Sequence, residues 1–428
     1  MIRITSSRDF NKARVVKPSV SAAITATVAG IIADVIKRGD AALREYTERL
    51  DGCTLDRFEL PPSMLDLAVR DAGAEFIGIM ERAARNIEDF HRGQIREGFI
   101  ITPGDGIILG QRFVPIQRVG LYIPGGTAAY PSSVLMNCIP AKLAGVGEII
   151  IATPPVRDGR DNTGILAAAK IAGVDRVFTI GGAQAIAALA YGTQSVPRVD
   201  KITGPGNAYV AEAKRQVFGT VGIDMIAGPS DILIIADINA DPSLVAADML
   251  SQCEHGADSA AILVTDSEEL AVKVSGELEI QLAVLTRGET AREAVDNNSM
   301  VIVAQSLKQA FEVSNDIAPE HLEIFLDEPF EYLSMVKNAG SVFLGRHTPE
   351  ALGDYYAGPN HTLPTSGASR FSSPLSVDDF VRRSSFTYYS SEALHKAGDD
   401  VIRFAEKEGL TAHALSIARR TREAKSEE

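Results

Sequence analysis

Val119-Gly-Leu-Tyr-Ile123, followed by Pro124-Gly125-Gly126, is the stretch on which the reading of the fold turns. Five small or apolar residues without polar alternation describe a strand buried on both faces, and the proline and glycines close it. A helical stretch runs on to Ala144. The same succession recurs downstream. EIIIA (148–152), RVFTI (176–180), KIT (201–203), DILIIAD (231–237), AAILVT (260–265) and MVIVA (300–304) each read as a short buried strand with a helical stretch after it. Repeated strand-helix alternation calls for parallel sheets covered by helices on both faces. The pattern suffices for two doubly wound, Rossmann-like α/β domains, expected at 111–238 and 239–365. Neither contains a GxGxxG or a P-loop.

Outward from this centre the texture changes. Residues 1–110 read mainly as helix, with apolar periodicity over 20–39 and again over 65–97, so an N-terminal helical region is expected. Residues 366–428 begin as the polar, loop-like SGASRFSSPLSVDDF. They continue as helices joined near Gly409, a small C-terminal helical tail that must dock elsewhere, on a partner subunit among other places. No sequence repeat stands out, and the charged end REAKSEE is the one biased tract.

Bulk properties narrow the function. A chain of 428 residues exceeds a single ordinary core, and 45% apolar with 23% charged residues is ordinary globular composition. A net charge of −14 with no long basic run argues against a nucleic-acid partner. No apolar stretch reaches the roughly 18 residues of a membrane span, and the first residues lack the apolar core of a secretion signal. Three cysteines, Cys53, Cys138 and Cys253, are an odd number without a CxxC. They argue against a disulfide framework and for a reducing, cytoplasmic setting.

Chemistry-bearing residues collect at seven places. Three glycine-rich strand-to-helix junctions, Pro124-Gly125-Gly126, Gly181-Gly182-Ala183-Gln184 and Gly204-Pro205-Gly206-Asn207, are compatible with plain tight turns and equally with a ligand site at helix N-termini. Gln252 and His255 lie three apart at a helix end, where they share a face, while Cys253 points elsewhere and is expected to pack in the core. Glu320-His321 puts two proton acceptors of different pKa side by side. The Gly/Pro-rich loop 353–365 holds Asp354 and His361. Glu408 and His413 lie in the tail, where an exposed helix start capped by Thr411 explains them as well.

Taken together, RVGLYIPGGTAAYPSSVLMN, GGAQAIAALAYGT, DKITGPGNAYVAEAKRQVFG, DMIAGPSDILIIAD, DMLSQCEHGADS, NDIAPEHLEIF, GDYYAGPNHTLPTSGASRFSSPLSVDDF and GLTAHA resemble the histidinol dehydrogenase family, in order, from about residue 20 to 420. The resemblance implies Glu320 and His321 as the catalytic pair. It implies Gln252, His255, Asp354 and His413 as ligands of one Zn2+ per subunit, and Tyr122, Gln184 and Asn207 as NAD contacts. Ser230, His361 and Glu408 join Gln252, His255, His321, Asp354 and His413 as the implied substrate-binding set. It further implies an intertwined homodimer with shared sites, and oxidation of L-histidinol through the aldehyde to L-histidine with two NAD, the last steps of histidine biosynthesis. Three other readings stand beside it: a relative acting on another primary alcohol, a non-catalytic binding protein of the same fold, and a cysteine-dependent aldehyde dehydrogenase.

Overall fold

The structure is a computed structural model that describes residues 1–10, 21–125, 130–156, 162–226 and 228–422. It divides into two compact units, 1–94 with 116–380, and 95–115 with 381–428.

The first unit is built on two parallel sheets. One orders its strands Arg176–Thr179, Glu148–Thr153, Arg118–Tyr122, Lys201–Thr203, Gly222–Ile223. The continuous apolar runs are explained by two-sided burial. Val119, Leu121, Ile149, Ile151 and Val177 face one helical layer, while Tyr122, Ile150, Ala152, Phe178 and Ile202 face another. Helices Pro131–Ala144 and Thr163–Ala172 cover the first face, and Gly182–Tyr191 and Ala208–Val217 the second.

The other sheet is ordered Arg3–Ser6, Met300–Val303, Ala260–Thr265, Asp231–Ala236, His321–Phe325, Ser341–Leu344. Its core divides in the same way. Ile232, Ile234, Ala261, Leu263 and Val301 lie on one side, and Leu233, Ile235, Ile262, Val264, Ile302, Leu322 and Ile324 on the other. Setting aside the N-terminal strand, both sheets run third, second, first, fourth, fifth in chain order. The fold is duplicated although the sequence shows no repeat, because topology constrains where apolar runs fall and not which residues fill them.

Several expectations are corrected. The N-terminal region, expected to be mainly helical, contributes strands besides its helices: Arg3–Ser6 is an edge strand of the second sheet, and Phe99–Gly104 and Ile107–Pro115 are strands. Its helices are not a separate body either. Ala22–Arg38 buries Val28, Ile31, Ile32 and Val35 over one face of the first sheet, and Ala74–Arg92 buries Met80, Ala83 and Ile87 over the other. Asp231–Ala236, expected with the first α/β domain, is the central first strand of the second sheet.

The second unit pairs Val381–Tyr389, Ile107–Pro115 and Phe99–Gly104 as an antiparallel sheet. Helices Ser391–Lys407 and Thr411–Arg422 follow, with Gly409 at φ 76° between them. The tail is therefore helical as expected but starts with a strand. Among the described residues no helix is long and apolar enough to cross a membrane.

Candidate active site

The glycine-rich junctions converge at the carboxyl ends of the first sheet. There Arg118–Tyr122 and Lys201–Thr203 are neighbours and the strand order reverses, the position where doubly wound sheets leave a crevice. Gly204 has φ 110°, and a Cβ there would lie 2.1 Å from the Tyr122 carbonyl oxygen, so only glycine allows this approach. Gly182 has φ 64°. Its N–H donates to the Tyr122 hydroxyl at 3.0 Å, and a Cβ on it would lie 2.7 Å from Gln184 Oε1. Burial pushes the Tyr122 phenol up to about 12, and the Gly182 N–H opposes it, so the group stays neutral. Asn207 caps helix Ala208–Val217, its Oδ1 accepting from the N–H groups of Tyr209 and Val210 at 3.0 and 3.1 Å. Tyr122 and the glycines before Gln184 and Asn207 thus bring backbone close together at this crevice, an arrangement compatible with a dinucleotide; Gly126 of the Pro124-Gly125-Gly126 junction lies outside the described residues.

A second group gathers at the amino end of the other sheet. Glu320 precedes strand His321–Phe325, whose first residue pairs with Ile232 and Ser341. Asp231, at the start of the adjacent strand, ties both residues down. Its Oδ1 accepts the Glu320 N–H at 2.8 Å, its N–H donates to Glu320 Oε2 at 3.0 Å, and its carbonyl lies 3.0 Å from His321 Nδ1. A carbonyl can only accept, so Nδ1 carries a proton, and in the neutral imidazole Nε2 is the basic nitrogen. That Nε2 is buried with no hydrogen-bond partner among the described residues. The two side chains converge as a loop position allows, with Nδ1 3.8 Å from Glu320 Oε2. Burial pushes the Glu320 carboxyl well above the carboxylate range, and the negative charge of Asp231 adds to it.

Around this pair stand donors without partners. Gln252 is the penultimate residue of helix Pro242–Cys253 and is 1% exposed. Both its carboxamide atoms lack a hydrogen-bond partner among the described residues. Glu350 and Asp354 sit four apart on helix Glu350–Tyr355, on one face. One ligand atom from each of His321, Glu350 and Asp354 lies within 4.8 Å of the others. Glu350 is held below the usual carboxylate range: its burial would raise it, but His321 and the groups beside it outweigh that. Asp354 is raised by burial and by Glu350. His255 lies in the turn after the helix and keeps an accessible face. Desolvation lowers its pKa, Glu350 opposes that, and His321 adds to it. Buried amide, imidazole and carboxylate atoms left unpaired around one point fit a divalent cation.

The loop after Asp354 brings in His361. Its Nδ1–H donates to the Asp354 carbonyl at 3.0 Å, leaving Nε2 to accept from the Ser133 hydroxyl at 3.3 Å. Desolvation lowers its pKa to about 4. Ser230 is half-buried directly before Asp231, and its carbonyl accepts the Ala260 N–H. Glu408 and His413 belong to the second unit, where both are exposed: Glu408 ends helix Ser391–Lys407 and His413 lies in Thr411–Arg422. Cys253 is in the core, fully buried. Sequence reasoning missed Glu350 and Asp231. The spacing of four between Glu350 and Asp354 was a usable signal; Asp231 was hidden as the first letter of an apolar strand.

Two doubly wound parallel sheets, with a buried and unpaired imidazole nitrogen beside a carboxyl of raised pKa, make a site of the kind α/β enzymes carry. The family described as histidinol dehydrogenase matches residues 16–421. Histidinol dehydrogenase of Clostridium acetobutylicum is 52% identical over 397 residues, 93% of this chain and 92% of that protein. That of Geobacillus kaustophilus is 53% identical over 390 residues, 91% of this chain and 92% of its own. The crystal structure of histidinol dehydrogenase from Elizabethkingia anophelis superposes with a TM-score of 0.92 at 37% identity, covering 99% of both chains. The chain belongs to the histidinol dehydrogenase family.

Proposed function

We propose that this chain oxidises L-histidinol through L-histidinaldehyde to L-histidine, the last steps of histidine biosynthesis, with two NAD consumed per substrate. The observation that carries the reading is the convergence of His321, Glu320 and unpaired buried donors at one end of the second sheet. Tyr122, Gln184 and Asn207 would hold NAD, which would supply the hydride acceptor. Gln252, His255, Asp354 and His413 would hold one zinc per subunit, which would supply Lewis-acid polarisation and orientation of the substrate.

The protein's own residues move the protons. His321 Nε2 takes the hydroxyl proton as the carbinol carbon is oxidised; the Asp231 carbonyl fixes the tautomer that makes this nitrogen basic. Glu320 then takes a proton from the water that adds to the aldehyde carbon. Its raised pKa makes it a stronger base than a solvated carboxylate. Ser230, His361 and Glu408 position the substrate, and the buried surroundings hold the aldehyde against escape.

The reading includes a homodimer in which Glu408 and His413 of one subunit complete the site of the other. Supporting it, both side chains are exposed in the single chain. So are Phe99, Ile100, Tyr388 and Phe404 of the same unit, an apolar surface that calls for cover. The test is to count NADH formed per L-histidinol before and after chelation. Two NADH from the metal-loaded protein and none after metal removal are expected; no NADH from L-histidinol refutes the reading.

A further inference from the structure

Lys214 and Asp224 form an ion pair that the reaction just described does not use. Their side chains are 2% and 1% exposed. Lys214 belongs to helix Ala208–Val217, among the buried Val210, Ala213 and Val217, and Asp224 directly follows strand Gly222–Ile223. Lys214 Nζ contacts Asp224 Oδ1 and also donates to the carbonyl of Gly204 at 2.9 Å. Asp224 Oδ2 accepts the N–H of the same Gly204 at 2.8 Å, and Oδ1 accepts the Met225 N–H at 2.6 Å. The two halves of one buried ion pair therefore hold both polar backbone groups of one glycine.

That glycine is the residue at φ 110° whose missing Cβ lets the turn lie against Tyr122, where the strand order of the first sheet reverses. Two residues on, a Cβ at Gly206 would lie 2.4 Å from Val210 Cγ1, so the turn has no slack on that side either. Burying two opposite charges is a poor way to gain stability, since well-packed apolar residues of equal volume do as well or better. What such a pair supplies and a hydrocarbon does not is direction: a donor and an acceptor at fixed places. The turn runs from there into Asn207, whose carboxamide oxygen is already committed to its helix cap.

We propose that Lys214 and Asp224 are a positioning pair that holds the Gly204–Asn207 turn, before any ligand arrives, in the shape that receives the dinucleotide. The inference rests on the assignment of NAD to Tyr122, Gln184 and Asn207. Neither residue touches reacting atoms, so the effect belongs to cofactor affinity and not to the chemical step.

The test uses the full-length, metal-loaded enzyme and two variants, Lys214→Met and the double variant Lys214→Met/Asp224→Asn. The double variant leaves no unpaired buried charge and covers the case in which the single one fails to fold. NAD binding is measured by calorimetry without substrate, alongside KM for NAD, KM for L-histidinol, kcat and bound zinc. The Kd and KM for NAD are expected to rise about tenfold or more, as misplacing a binding group by a fraction of an ångström does. KM for L-histidinol, zinc content and kcat at saturating NAD should stay within about twofold. Unchanged NAD affinity in a folded variant overturns the proposal and leaves the pair a structural feature. Hydrogen exchange in the unmodified enzyme gives a second reading that needs no variant. The Gly204 amide should be protected before NAD is added; protection only in the presence of NAD overturns the proposal. If the unmodified enzyme binds no NAD, it is the assignment of the cofactor site that fails.

Discussion

Replacing Glu320 by glutamine separates the two oxidations. The residue is buried, 5% exposed, and its Oε2 accepts the Asp231 N–H at 3.0 Å. A carboxamide keeps an acceptor in that place, so the roughly 1–3 kcal/mol penalty of an orphaned buried donor is avoided. What is lost is the base. General-base catalysis contributes roughly 10²- to 10⁴-fold, equivalent to about 3–5 kcal/mol of barrier. That loss should fall on the aldehyde-to-acid step, while the first NADH forms at close to the unmodified rate. The pH dependence follows from the raised pKa. The basic form of Glu320 disappears as pH falls through a value above the carboxylate range, so the acid limb of the second step belongs to it and should vanish in the variant. Stability carries the opposite sign. A carboxyl with a raised folded-state pKa contributes stability that is full below its unfolded value of about 4.3 and is lost as pH rises through the folded value. The non-titrating variant should therefore gain in thermal midpoint relative to the unmodified enzyme as pH rises. Single-turnover NADH traces with L-histidinol, resolved into first and second equivalents, make the measurement. Equal slowing of both equivalents refutes the role assigned to Glu320.

Replacing His321 by asparagine should slow the first hydride departure by roughly 10²-fold or more with zinc content unchanged by metal analysis; loss of the metal would make His321 a ligand. His413→Ala should lower both bound zinc and turnover of L-histidinol, and a protein shortened to end before Ser391 that stays metal-replete and fully active contradicts a shared site. Cys253→Ala should convert L-histidinol within about twofold of the unmodified rate, because a thiol pushed by burial to about 11 offers no thiolate at neutral pH. Failure of its aldehyde step would restore a cysteine-based mechanism.

The parts of the fold that were legible share one physical property. All seven strands read as apolar runs are central or well-covered strands, buried on both faces, so composition alone marked them. His321–Phe325, buried throughout, is the exception among the strands that escaped notice; several others carry no such mark. Gly222–Ile223 is two residues long. Phe99–Gly104 and most of Val381–Tyr389 are exposed in the chain, and VRRSSFTYY mixes charge, hydroxyl and ring on faces with no core to sort them. The N-terminal strand Arg3–Ser6 hides among polar residues because it is an edge. At the site, Glu320, His321, Gln252, His255, Asp354 and His361 announced themselves as polar groups in loops and at helix ends, and burial brought them around Glu350. Asp231 acts largely through its main chain, which any residue type possesses, and that contribution has no signature in sequence.

The pairing of Arg3–Ser6 with Met300–Val303 also sets a clock for biosynthesis. The partners are separated by 297 positions, so the strand made first has no place to go until its neighbour has been translated. At a synthesis rate of about 5–20 residues per second the wait is roughly 15–60 s. Throughout it the ribosome-bound chain carries a tethered, unpaired strand while the first sheet and its helices can already assemble. Extensions fused ahead of Met1 would weigh on this late docking step, and slow refolding or chaperone dependence is where such a burden would register.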